Sequence, residues 1–179
     1  TYIIAAALTK GYLKIKNIKP KIISTEIKIL NNMGVKIVKK KSYLIVNRRQ
    51  KLKNINIITK PYPGFPTDLQ AQMMVLMTKA NGISTIRENI FENRFMHVSE
   101  LRRMGVRIDT NGSKAKIYGK RKLNGAELMA TDLRASVSLV LAGLVAKNKT
   151  IINRIYHLDR GYEKIEKKLK KCKAIIKRI

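Results

Sequence analysis

Two matching segments, Thr67-Asp68-Leu69-Gln70-Ala71 and Thr131-Asp132-Leu133-Arg134-Ala135, each place a carboxylate directly ahead of an apolar run. A carboxylate at a helix start has two possible uses. It can cap the free N–H groups of the first turn, where the helix dipole also favours negative charge. It can equally stand at the rim of a cleft as a general base or a ligand-binding group. For Asp68 the preceding Pro63-Gly64-Phe65-Pro66 is a stiff, non-helical approach, because each proline fixes its own φ and restrains the residue before it. Recurrence at both helix starts favours the cap without excluding chemistry, since helices that begin on one face converge on one spot.

Three arginines extend the constellation. Arg94 lies in Phe91-Glu92-Asn93-Arg94-Phe95-Met96-His97, Arg134 one turn into the helix after Asp132, and Arg160 in His157-Leu158-Asp159-Arg160-Gly161-Tyr162. A guanidinium presents a planar fork suited to phosphate or carboxylate. Two acids and several guanidiniums around one rim describe a site for a phosphorylated or carboxylated substrate. The two histidines, His97 and His157, lack the cysteines or further histidines a zinc site needs and read as structural or as loop hydrogen-bond donors. No Ser-His-Asp ordering, P-loop or dinucleotide glycine motif is present, so no cofactor or metal is expected.

The elements that must position these residues follow a threefold pattern. Each unit runs apolar helix, strand, amphipathic helix, strand, with a closing strand in the first two. The units span about residues 1–60, 61–125 and 126–179. The first opens with Ile3-Ile4-Ala5-Ala6-Ala7-Leu8, then a strand over 12–18 and a helix with Ile23, Ile27, Leu30 and Met33 on one face. The second starts at Asp68 and breaks at Asn81-Gly82. Its second helix carries Val98, Leu101 and Met104, and Asn111-Gly112-Ser113 signals a hairpin. The third starts at Thr131-Asp132, breaks at Lys147-Asn148-Lys149, carries Tyr162, Ile165, Leu169 and Cys172 on its second helix, and ends with a strand over 174–179. Leu30-x-x-Met33, Leu101-x-x-Met104 and Leu169-x-x-Cys172 correspond, which makes Cys172 a small core residue at a helix end. First helices without a polar face belong inside and amphipathic second helices outside. The expected fold is therefore α/β (α+β), with three inner helices wrapped by sheets.

The 179 residues suffice for one domain with a real core, and 45% of them are hydrophobic. The net charge of +28 would suit a polyanion. The cations are dispersed, however, and Lys, Ile and Asn are jointly abundant, as an AT-rich coding bias produces. No zinc-finger, RNP or KH pattern is present, which argues against nucleic acid as the partner. No secretory signal, no membrane-length apolar run and a single cysteine read as a cytoplasmic protein without a membrane partner.

The segments Pro63-Gly64-Phe65-Pro66-Thr67-Asp68-Leu69-Gln70-Ala71-Gln72, Phe91 to His97, Met129-Ala130-Thr131-Asp132-Leu133-Arg134-Ala135-Ser136, and Arg154-Ile155-Tyr156-His157-Leu158-Asp159-Arg160-Gly161-Tyr162-Glu163 closely resemble the UDP-N-acetylglucosamine 1-carboxyvinyltransferases, the enolpyruvyl transferases of cell-wall synthesis. The resemblance covers essentially the whole chain, most strongly from Pro61 onward. It implies two similar domains of three repeats each, of which this chain resembles the second. The chain begins inside a helix without an initiator methionine and holds three repeats where the family has six. The first domain would carry the family's lysine–asparagine pair and the loop cysteine that acts as general acid, a position Cys172 does not match.

The resemblance further implies transfer of enolpyruvyl from phosphoenolpyruvate to the 3-hydroxyl of UDP-N-acetylglucosamine, the first committed step of peptidoglycan synthesis, by addition and elimination of phosphate. Asp68 resembles the carboxylate that binds and deprotonates the hydroxyl, and Ile90 a backbone contact to the nucleotide sugar. Arg160 resembles the arginine that closes on the phosphate of phosphoenolpyruvate, Arg94 a neighbouring active-site arginine, and Asp132 and Arg134 supporting rim residues. Two alternatives stand beside this: an enolpyruvylshikimate phosphate synthase-like transferase, and a basic binding module without catalysis.

Overall fold

The structure is a computed structural model and describes residues 1–48 and 50–179. In chain order it contains α1 (Tyr2–Leu8), β1 (Tyr12–Lys16), α2 (Ser24–Asn32), β2 (Lys36–Lys39), β3 (Tyr43–Asn47) and β4 (Asn56–Ile58). Then follow α3 (Gln70–Met77), β5 (Ile83–Arg87), α4 (His97–Arg103), β6 (Ile108–Asn111), β7 (Lys114–Tyr118), β8 (Leu123–Asn124) and β9 (Glu127–Met129). The last part holds α5 (Leu133–Gly143), β10 (Ala146–Lys147), β11 (Ile151–Asn153), α6 (Tyr156–Asp159) and α7 (Ile165–Lys171).

The helices α1, α3 and α5 lie at the centre, with α3 packed on both others. Every residue of α3 is buried, as are Ile3 to Leu8 of α1 and Ala135 to Ala142 of α5. Each fully buried Leu, Ile or Met contributes about 1.5–3 kcal/mol of apolar burial, so these short helices are held by packing rather than by their own propensity. Arg48 closes the end of α1: its buried guanidinium donates to the carbonyls of Ala7 and Leu8, setting a cation where the helix dipole is negative.

Sheets cover this centre. The antiparallel sheet β1-β3-β2 packs on α1, and the mixed sheet β4-β5-β7-β6 packs on α3. Lys114 pairs with Asn111 across Gly112-Ser113, the expected hairpin. In the third unit β11 runs parallel to β9, as β5 does to β4, but no antiparallel hairpin follows.

Three expectations for the third unit are corrected. Residues 174–179 form no strand: the corresponding strands β2 and β6 are held by the strands that follow them, and no such partner lies beside 174–179. Tyr162 falls in the turn between α6 and α7, and Cys172 is exposed whereas Met33 and Met104 are fully buried.

The three helix ends are nonetheless built alike. At the end of α2, Gly34 (φ +94°) donates to Asn31 and Val35 to Leu30. Gly105 (φ +83°) and Val106 repeat this with Arg102 and Leu101. Lys173 (φ +67°) and Ala174 repeat it with Lys170 and Leu169. This is one helix-terminating motif used three times, twice with the glycine its left-handed position favours. What differs is the cover. The carbonyls of Met33 and Met104 accept from Lys53 and Asn124, residues beyond the next hairpin, and Cys172 has no hairpin over it.

Candidate functional site

The approach to Asp68 is a tight loop. Gly64 donates to the carbonyl of Pro61 at 2.7 Å, and Lys60 to that of Phe65 at 2.9 Å. A Cβ on Gly64 would run into Lys60 and the Pro61 carbonyl, which is why glycine stands there. Pro66 is extended, and Thr67–Leu69 then make a single 3-10 turn ahead of α3. Asp68 sits within that turn, with no cap hydrogen bond from its side chain. The cap reading is therefore corrected for Asp68. The 3-10 turn is closed by Leu69 donating to the carbonyl of Pro66, and this leaves the Asp68 carboxylate facing outward, 65% exposed.

Asp132 does cap. Its backbone is extended and its Oδ1 accepts from the N–H groups of Arg134 (2.7 Å) and Ala135 (3.1 Å). Two identical Thr-Asp-Leu strings thus serve different ends, because only the first, following Pro66, is itself wound into a 3-10 turn. The cap fixes the backbone of Arg134, whose side chain crosses to the neighbouring unit. Its Nε and Nη2 both reach Oδ1 of Asp68 at 2.5 Å. An ion pair this exposed contributes about 0–1 kcal/mol. It orients the carboxylate and is cheap to open.

Beside this pair lies a cavity of about 300 Å³. Arg94 and Arg134 supply its cationic lining, Glu92 and Asp132 its acids, and Gln70 and His97 part of its floor. Arg94 is half-buried and stacks over the Phe91 ring with 4.2 Å to the centroid, while Asn93 before it takes a left-handed turn (φ +55°). His97 is buried, its Nε2 3.3 Å from the sulfur of Met74. Burial pulls its pKa down to about 4, against the opposing pull of the Asp132 charge and a hydrogen bond to the Arg94 backbone. The imidazole is neutral at pH 7, which leaves the guanidiniums as the cavity's cations.

Arg160 does not line this cavity. It is exposed at the end of α6, and the adjoining Gly161 lies so close to Leu133 that a Cβ there would meet the leucine at 2.9 Å. The Arg160 turn consequently abuts the start of α5, on the same edge of the molecule. Thr1, at the start of α1, meets the hydroxyl of Tyr162 at 2.6 Å, so all three inner helices begin on that edge. Ile90 is half-buried and its N–H is occupied by Glu88 at 2.9 Å, so a backbone contact there has to use the carbonyl. Among the described residues, no group of His, Cys, Asp and Glu could hold a metal ion, and no helix is long and apolar enough to cross a membrane.

The family model described as EPSP synthase (3-phosphoshikimate 1-carboxyvinyltransferase) matches residues 1–169. The chain belongs to this family. A curated relative from Pelagibacter ubique, named UDP-N-acetylglucosamine 1-carboxyvinyltransferase, is 68% identical over the whole chain, which covers 43% of that relative. The crystal structure of the enolpyruvyl transferase NikO from Streptomyces tendae superposes with a TM-score of 0.91 at 28% identity, over 98% of this chain and 42% of that one. An EPSP synthase from Acinetobacter baumannii shares the fold at a TM-score of 0.63 and 14% identity, over 85% of this chain and 38% of its own. The chain thus spans less than half the length of the relatives it matches.

Within the family fold, the expected residues are distributed as follows. Arg94, Asp132 and Arg134 share the cavity and Asp68 is tied to it by Arg134, whereas Ile90 and Arg160 are not among its lining residues. Glu88, which accepts four hydrogen bonds while 3% exposed, went unnoticed in the sequence. A lone acid between Arg87 and Asn89 carries no local pattern, and its partners Thr59 and Thr67 stand far from it in the chain.

Proposed function

We propose that this chain is the second domain, residues 1–179 in three units, of a two-domain UDP-N-acetylglucosamine 1-carboxyvinyltransferase working in the cytoplasm on the first committed step of peptidoglycan synthesis. The observation that carries the reading is the exposed Asp68 carboxylate, aimed by Arg134 at the mouth of a cavity with two guanidiniums. Asp68 takes the proton of the sugar 3-hydroxyl as that oxygen adds to C2 of phosphoenolpyruvate and the methylene carbon takes a proton from the general acid; the methyl carbon then gives up a proton as the C2–O bond to phosphate breaks, which restores the double bond and releases phosphate. A base of this kind accelerates a step by about 10²–10⁴-fold. Arg94 and Arg134 offer forks to the anionic groups of phosphoenolpyruvate, stabilising charge that builds during transfer. Arg160 reaches the phosphate from the α6 edge, the Ile90 carbonyl contacts the nucleotide sugar, and Asp132 holds Arg134 in place. The general acid belongs to the other domain.

The test joins this chain to the remaining part of the Pelagibacter ubique relative and measures phosphate release from phosphoenolpyruvate and UDP-N-acetylglucosamine. The chimera is expected to turn over, and Asp68→Asn to lower kcat by about 10²–10⁴-fold with the melting temperature kept. An inactive chimera beside an active intact relative defeats the reading.

A further inference from the structure

Glu88 follows β5 and is 3% exposed, yet it has no part in the chemistry assigned above. Its two oxygens are divided between separate stretches of chain. Oε2 accepts from the Thr67 hydroxyl at 2.9 Å, the residue immediately before Asp68. Oε1 accepts from the Thr59 hydroxyl at 2.8 Å and from the N–H groups of Ile90 at 2.9 Å and Phe91 at 3.3 Å. The Thr59 hydroxyl in turn accepts from the N–H of Asn89 at 2.9 Å, which closes the turn on its other side.

One buried side chain therefore joins the turn that carries Asp68 to the segment that carries Ile90 and Arg94. An ionised carboxylate accepts on every lone pair, and this is what four converging donors require. An amide offers one oxygen and two N–H groups. Glutamine at this position would keep the Ile90 and Phe91 bonds and let the Thr67 hydroxyl rotate to accept, whereas alanine would strand four donors in a dry interior.

We propose that Glu88 is a positioning residue, registering Asp68 against the Ile90–Arg94 segment so that the base and the sugar contacts engage one substrate. The inference rests on the reading of Asp68 given above. Its structural core, coupling between residue 67 and the 90–91 turn through the Glu88 carboxylate, holds independently of that reading.

The experiment has two arms. On the chain itself, amide hydrogen exchange is followed by NMR in Thr67→Val. The substitution is expected to speed exchange at Ile90 and Phe91 by about tenfold while the amides of α3 keep their protection. In the active chimera, Thr67→Val and Glu88→Ala are each expected to lower kcat and raise KM for UDP-N-acetylglucosamine by about tenfold. The double variant is expected to be no worse than either single, and Glu88→Gln to outperform Glu88→Ala per folded molecule. Unchanged exchange at Ile90 and Phe91 overturns the inference. So do variants that lower the melting temperature with kcat and KM within about twofold of the parent, the signature of a merely structural group. If the parent chimera is inactive beside an active relative, the functional reading fails alone and the exchange arm still decides.

Discussion

Acidification should destabilise this protein through a single buried ring. His97 has a pKa of about 4 in the fold because it is buried, against about 6.5 in an unfolded chain. The folded state disfavours the proton, so the stabilisation from neutral His97 is complete above pH 6.5. As pH falls toward 4 the unfolded chain binds a proton that the folded one refuses, and stability drops; below 4 both states are protonated and the loss is complete. Linkage over this window gives a loss of about 2 kcal/mol between pH 7 and pH 5. For a domain of this length that lowers the melting temperature by about 4–8 °C. Calorimetry on the parent and on His97→Gln isolates the effect, because every other titrating group is common to both. The parent should lose the extra degrees between pH 7 and pH 5, and the variant should not. Parallel curves, or an NMR titration placing the folded His97 near pH 6.5, would refute both the buried ring and the neutral cavity wall it implies.

Two further outcomes concern helix ends. Asp132→Ala removes the acceptor for two N–H groups of α5 and should cost about 1–2 kcal/mol by urea unfolding; it should also raise exchange at the Arg134 and Ala135 amides. Lys173→Gly relieves a left-handed residue and should stabilise the chain by about 0.5–1 kcal/mol, a gain the same unfolding curves would show or deny.

Much of the scaffold was readable in the sequence because its signals are local. Apolar-all-round helices, the Leu-x-x-Met faces and the glycines after them depend on residues within one or two turns, and each produced the element expected. Asp68 and Asp132 mark where local reading stopped. Their surrounding strings match, but capping was decided by the backbone at each aspartate: extended at Asp132, within a 3-10 turn after Pro66 at Asp68. Cys172 fell outside for a comparable reason, since its burial depends on a hairpin supplied by other residues. Glu88 was invisible because its meaning lies wholly in distant partners. Asp132 and Arg134 line one cavity with Arg94, the former pair at the start of an inner helix and Arg94 in the loop ahead of α4.

The Asp68–Arg134 contact spans 66 residues and two units. Long loops close late, after the local hairpins and helices that give a chain its early structure. During synthesis both complete sheets, β1-β3-β2 and β4-β5-β7-β6, can form before Arg134 exists as part of a helix. The Asp68 carboxylate is thus built early and aimed last, and a half-made chain carries it without its orientation.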